Sequence, residues 1–156
     1  MWVRPLEDPT LLTDQHQRAV FEYWLALRAD TDLPGPEHID PVALPRGSLP
    51  VILVKECEAD TGRYRTRLAG TAFRDASGFD GTHLYTDDIK GSAGTLERFG
   101  WAVANRKPYW YQGSMAFGTK DYKQFSVLVL PFAETGQPVC RLVCVFDFAP
   151  DPQARR

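Results

Sequence analysis

The order of the elements that the sequence predicts is its most constraining feature. An amphipathic stretch at residues 14–29 comes first, and a glycine-punctuated crossover with a helix near residues 95–105 divides the strands into two groups. The strands are predicted at residues 51–56, 64–69, 109–117, 123–132 and 139–148. Because the helices gather in one crossover, we predict an α+β fold with a five-stranded antiparallel sheet and an N-terminal amphipathic helix. Such a sheet encloses a cavity against its helices, which suits sensing better than acid or base chemistry.

Length and charge restrict the chain to one ordinary globular unit. A chain of 156 residues buries roughly 70% of its unfolded surface on folding, which is enough for a single core. The formal net charge of −2 gives neither a nucleic-acid footprint nor a polybasic membrane anchor. The N-terminus does not resemble a signal peptide, and the apolar runs are too short to span a bilayer. We therefore expect a cytoplasmic protein that binds no nucleic acid and no membrane.

Capping residues and prolines set the boundaries of the segments. Asp14, with Gln17 three residues later, predicts a helix start, and the prolines around Gly35 end that helix. We predict a helix and proline-rich connector at residues 1–48, a core at residues 49–149 and a disordered tail at residues 150–156.

Several short strings resemble one known family. They are Tyr23-Trp24 with Arg28, Ile39-Asp40-Pro41, residues 49–53, residues 64–71 and Gly78-Phe79-Asp80-Gly81. Over residues 14–148 they resemble the stand-alone bacterial PAS proteins. The resemblance implies a sheet packed on short helices, signal transduction through a small ligand or a signalling protein partner, and no common catalytic residue. The chain lacks the string Asn-Cys-Arg-Phe of flavin photochemistry and a histidine in the crossover helix, so flavin and haem are disfavoured and the cofactor stays unknown.

The topology also predicts which residues surround the cavity. Inward strand positions and the crossover converge there, so we predict an apolar ligand pocket. Its residues are Phe73, Phe79, Leu96, Met115, Phe125 and Cys144. Arg63, Arg65 and Arg67 alternate along one strand and share a face, for which a solvated outer surface is the favoured interpretation. Arg65 resembles a position that the family fills with a basic residue, and we add it to the predicted ligand-binding residues.

Two other functions stay open. Asp80, His83 and Asp87 form a cluster that a small NTF2-like enzyme could use for acid–base chemistry, although a polar loop is the favoured interpretation. The chain could also be an interaction scaffold with a filled core. The three cysteines do not form a recognisable metal or disulfide pattern, so we predict no metal site. We expect no catalysis, because no nucleophile stands with a base at a known spacing.

The N-terminal helix is apolar over more of its circumference than one core contact needs. Val20 and Trp24 lie on one stripe, whereas Phe21 and Leu25 lie beside it and would face solvent. A monomer rarely exposes such a patch. We therefore predict a homodimer whose interface contains Val20, Phe21, Trp24 and Leu25.

Overall fold

The structure, a computed structural model, describes residues 4–6, 8–78, 81–114 and 122–150. The helices are α1 (Gln15–Arg28), α2 (Thr71–Ser77) and α3 (Ala93–Asn105). The strands are β1 (Arg4–Pro5), β2 (Ile52–Cys57), β3 (Tyr64–Ala69), β4 (Tyr109–Ser114), β5 (Tyr122–Phe132) and β6 (Arg141–Pro150). The predicted continuation of β4 to residue 117 lies outside the described residues.

The strands form one antiparallel sheet in the order β1-β4-β5-β6-β2-β3. The predicted α+β architecture with a five-stranded antiparallel sheet is confirmed, and α2 and α3 lie between β3 and β4 as the predicted crossover. The structure adds β1, a two-residue edge strand beside β4 that the sequence pattern did not indicate. The long strands β5 and β6 pair over nearly their whole length and form the centre of the sheet.

Alternation along the central strands gives the sheet two buried faces. Leu53, Val127 and Cys144 point to the face under α2 and α3, which we call the cavity face. Their neighbours Leu128 and Val143 point the other way and are fully buried under α1. Because both faces are covered, the central strands have nearly continuous apolar sequences.

The start of α1 follows its sequence signal, but its first turn also carries an unexpected contact. The Asp14 carboxylate accepts hydrogen bonds from the backbone N–H groups of His16 and Gln17, at 3.1 and 2.9 Å. The Gln17 side chain is buried instead of exposed on the helix. Its amide Nε2 donates to Ser126 Oγ and to the Val145 carbonyl, both at 3.1 Å. This side chain therefore fixes α1 on the sheet at one position.

The expected exposure of Phe21 on α1 is wrong. Phe21 is 0% exposed, Val20 and Trp24 are also buried, and Leu25 is half-buried. The Trp24 indole Nε1 donates to the Pro131 carbonyl at 2.8 Å, so its ring lies against β5 of the same chain. Phe21 lies in a second contact, beside the Leu6 segment and the turn before β4. The chain's own core contains these residues, which removes the reason for assigning them to a dimer interface.

The predicted segment boundaries stay predictions. Helix α1 and the sheet share one hydrophobic cluster. Among the described residues, the core therefore includes α1, although the predicted core began at residue 49. Residues 151–156 of the predicted tail lie outside the described residues.

Candidate ligand-binding cavity

A cavity of about 80 Å³ lies between the sheet's cavity face and the helical crossover. Since a water molecule occupies roughly 30 Å³ in the liquid, this space holds two to three waters. Helices α2 and α3, with the loop between them, close it on the side away from the sheet. Most of its wall is apolar. The main apolar lining residues are Leu53, Phe73, Phe99, Val127, Val129 and Phe146.

The predicted pocket residues divide into three groups. Phe73, Phe125 and Cys144 line the cavity as predicted. Phe79 and Met115 lie outside the described residues. The placement of Leu96 is wrong, because α3 turns Thr95, Arg98 and Phe99 toward the cavity while Leu96 is half-buried elsewhere on the helix. Whether any of these residues binds a ligand stays a prediction.

Arg65 also lies away from the cavity wall. It precedes Thr66, which lines the cavity, so strand alternation directs the two side chains to opposite faces of β3. Its guanidinium Nη2 lies 3.3 Å from His83 Nδ1 on the outer side of the sheet edge. The predicted ligand role of Arg65 therefore has no support from the cavity.

The cavity contains a lysine that the sequence prediction did not include. Lys55 lies on β2, two residues after Leu53, and its side chain is on the same cavity face. It is only 3% exposed, and its ammonium Nζ donates to Thr66 Oγ1 at 2.7 Å. Burial lowers the pKa of Lys55 from 10.5 to about 8, because the charged form loses its hydration. The sequence did contain a signal for this lysine. Lys55 is two residues after the apolar Leu53 on a mostly apolar strand, and side chains two residues apart on a strand point to the same face.

A second cation and a phenol also belong to the polar part of the wall. The Arg98 guanidinium lies over the Tyr111 ring, 3.6 Å from its centroid, and Nη2 donates to Thr95 Oγ1 at 3.3 Å. Burial raises the pKa of Tyr109 well above its ordinary value, although the neighbouring Arg98 opposes that shift. Among the described residues, no carboxylate lines the cavity. The described wall therefore combines two basic side chains and several hydroxyl groups with apolar residues.

Comparison with known families agrees with this architecture. The model of a family described as PAS domain matches residues 12–145, which is most of the chain. The chain belongs to the PAS domain family. PAS domains are in general sensory or regulatory modules. Searches of curated proteins and of solved structures gave no match. None of the helices described for this PAS domain is long and apolar enough to span a membrane.

On the outer side of this PAS domain, two arginines of the predicted row, Arg63 and Arg67, form ion pairs. Arg63 contacts the carboxylates of Asp87 and Asp88 at 3.1 and 3.2 Å, and it lies over the Tyr85 ring. The Arg63 guanidinium lowers the pKa of Asp87. Arg67 pairs with Glu56 at 2.8 Å. This arrangement agrees with the favoured interpretation of the arginine row as an outer surface.

The candidate acid–base cluster is not assembled in the described part of the chain. Asp87 faces Arg63, whereas exposed His83 faces Arg65. Asp80 lies outside the described residues. The cluster therefore offers no described carboxylate–imidazole pair at the cavity.

The cysteines of this PAS domain are packed as neutral thiols. Burial raises the pKa of both Cys57 and Cys144 to about 12, so neither is a thiolate near neutral pH. Among the described residues, no three His, Cys, Asp or Glu side chains are grouped closely enough to hold a metal ion. The cavity chemistry available from the described residues is therefore binding through cations, hydroxyls and apolar surface.

Proposed function

We propose that this PAS domain is a non-catalytic sensory or regulatory module that binds a small ligand in the cavity between its sheet and its crossover helices. The observation that carries the proposal is an open cavity of about 80 Å³ with the buried amine of Lys55 in its wall. A pure interaction scaffold would be expected to fill this space with side chains, since interiors are close-packed. An apolar pocket with a few convergent polar groups is the usual form of a ligand site.

The described residues favour binding over catalysis. The thiols of Cys57 and Cys144 are protonated near neutral pH, and His83 is exposed and away from Asp87. Ligand binding would then act by changing how the domain contacts a signalling protein or a second copy of itself. Homodimer formation and a cytoplasmic location stay predictions, and the burial of Phe21 means that a dimer needs an interface other than the one assigned to α1.

An NMR experiment tests the proposal. Wild-type protein is titrated with small probes of different charge, and the backbone amides of Leu53, Val127 and Phe146 report on the cavity wall. We expect at least one probe to shift these amides at a saturable concentration. The matched variant Val127→Phe adds a ring to the cavity wall and should abolish those shifts while its spectrum stays that of a folded protein.

Two results would contradict the proposal. One is that no probe shifts the cavity amides at any concentration the protein tolerates. The other is that the same shifts persist in Val127→Phe, which would place the binding elsewhere on the domain.

A further inference from the structure

We propose that the ligand is a short-chain monocarboxylate, such as propionate or acetate, whose carboxylate binds Lys55 while its alkyl group contacts the apolar wall. This inference rests on the proposed function, since it names the ligand class for the same cavity. Three properties of the cavity support it: a buried charge that no described carboxylate balances, a second cation in the wall, and a small apolar volume.

The first property is the state of the Lys55 ammonium. An ammonium group has three N–H donors, and among the described residues only Thr66 Oγ1 accepts from Lys55. No described carboxylate lines the cavity to balance the charge. Because a buried charge is costly unless it is paired and hydrogen-bonded, the site is complementary to an anion that accepts from the remaining donors.

The second property is the position of Arg98. Its side chain lines the same cavity from α3, opposite the sheet that carries Lys55. Arg98 stacks on Tyr111 and donates to the hydroxyl of Thr95, and it has no ion pair with a described carboxylate. Two cations without a described counter-charge therefore face one cavity, which disfavours a cationic ligand and favours an anionic one.

The third property sets the rest of the ligand. Phe73, Phe99, Val127 and Phe146 form an apolar wall that cannot replace the hydration shell of an inorganic anion over all its surface. An apolar cavity of roughly 150 Å³ accepts benzene, which has six non-hydrogen atoms, so by the same scaling a cavity of about 80 Å³ has room for about three non-hydrogen atoms. That size is nearest to acetate and propionate, the smallest carboxylates that carry an alkyl group, and is too small for a dicarboxylate.

The experiment compares propionate with probes that differ in charge. Binding of propionate, propionamide, 1-propanol, propylamine and chloride is measured by NMR titration of wild-type protein at constant ionic strength and pH 7. We expect propionate to bind at least about tenfold more tightly than each of the others, on the order of the loss expected when a charge partner is removed. Propionate should also raise the pKa of the Lys55 ammonium, followed directly by the ¹³Cε shift of the lysine.

Two variants separate the role of Lys55 from a general surface effect. Lys55→Met keeps a flexible apolar chain and removes the charge that contacts the carboxylate, so it should lose most of the preference for propionate over propionamide, and Arg98 accounts for the part that remains. Lys90→Met removes an exposed lysine that is outside the cavity wall and should bind propionate like the wild type. The lysine titration in the wild type supplies an independent readout if Lys55→Met folds poorly.

The outcomes distinguish failure of this inference from failure of the proposed function. If propionate, propionamide and propanol bind the cavity equally well in wild type and in Lys55→Met, the cavity is a ligand site but its charge does not select the ligand. If Lys55 titrates near 10.5 without any ligand, the chain itself balances the charge and the inference is wrong. If no probe binds the cavity, the proposed function fails as well.

Discussion

Lys55 connects the charge state of the cavity to the stability of the fold. In the native protein its pKa is about 8, whereas its ordinary value is 10.5. Between these values the unfolded chain holds the proton that the native protein has released. The unfolded state thus binds more protons, so the Lys55 contribution to stability increases with pH from about 8 to 10.5. Below pH 8 the buried ammonium costs the fold about 3 kcal/mol, since one pKa unit corresponds to about 1.4 kcal/mol.

The variant Lys55→Met tests this cost. We expect it to be more stable than the wild type at pH 7, with an advantage that decreases by about 3 kcal/mol toward pH 10.5, where Lys55 is neutral in the native wild type. Urea unfolding of both proteins at several pH values measures the difference. Titration of Cys57 and Tyr109 cancels because both proteins contain them, whereas Cys144, whose pKa is raised by burial, loses the Lys55 charge that lowers it, so the comparison is made with Cys144→Ala in both backgrounds. A stability difference that does not change with pH would show that Lys55 is not desolvated.

Helix α1 shows why a wide apolar surface does not by itself indicate a dimer. The sequence correctly predicted the helix and its Asp14 cap, because both depend on local spacing. It could not show that α1 is covered on two sides, by β5 and β6 along one stripe and by the Leu6 segment beside Phe21. The second contact comes from Leu6 and from residues 106–108, which lie outside the helical pattern on which the prediction was based. The pattern alone therefore assigned Phe21 to solvent.

We predict that Phe21→Ala destabilises each copy of the chain and leaves its assembly unchanged. A large buried aromatic replaced by alanine typically costs 3–5 kcal/mol, and about that loss is expected here. Leu25→Ala serves as the matched control on the same helix and should cost clearly less, because Leu25 is only half-buried. Denaturant unfolding measures stability and sedimentation velocity measures mass. If Phe21→Ala instead dissociates a wild-type dimer without loss of stability, α1 is an interface after all.

Two glycines of the crossover give opposite predictions for the same substitution. Gly70 precedes α2, and a Cβ atom there would collide with the backbone carbonyls of Leu49 and Pro50. Gly100 lies within α3 with open space around its Cβ position. Gly70→Ala should therefore destabilise the fold by about 1–3 kcal/mol, and Gly100→Ala should stabilise it by up to about 1 kcal/mol.

Thermal and urea unfolding of both glycine variants provide the measurement, with each serving as the control for the other. A gain in stability for Gly70→Ala would mean that the segment before β2 moves aside at little cost. In that case the close approach between this segment and α2 is not a tight contact.

Across the full chain, the topology was predictable and the polar content of the cavity was not. Element order and strand alternation gave the sheet, the crossover and a cavity containing Phe73, Phe125 and Cys144, because these follow from period and connection length. Helix α3 is rotated about its axis so that Thr95 and Arg98, and not Leu96, face the cavity. This orientation depends on how α3 packs against β5, which the local sequence pattern does not encode. Lys55 was missed because a lysine in a strand is normally assigned to solvent, although its phase relative to Leu53 matched the inward face.

The last prediction concerns the response of the fold as a unit to its proposed ligand. If propionate binds the native cavity only, a concentration 100 times its measured Kd adds about 2.7 kcal/mol of stability, which raises Tm by about 5–10 °C in a domain of this size. The increase should disappear in Val127→Phe and Lys55→Met, and it should diminish as pH rises through about 8, because Lys55 then loses its charge.

Since the cavity lies between α3 and β5, propionate should also slow amide hydrogen exchange in both elements together. Thermal scans against sodium chloride at equal ionic strength provide the reference, and an equal shift in chloride, or one that persists at pH 10, would rule out a carboxylate held by Lys55.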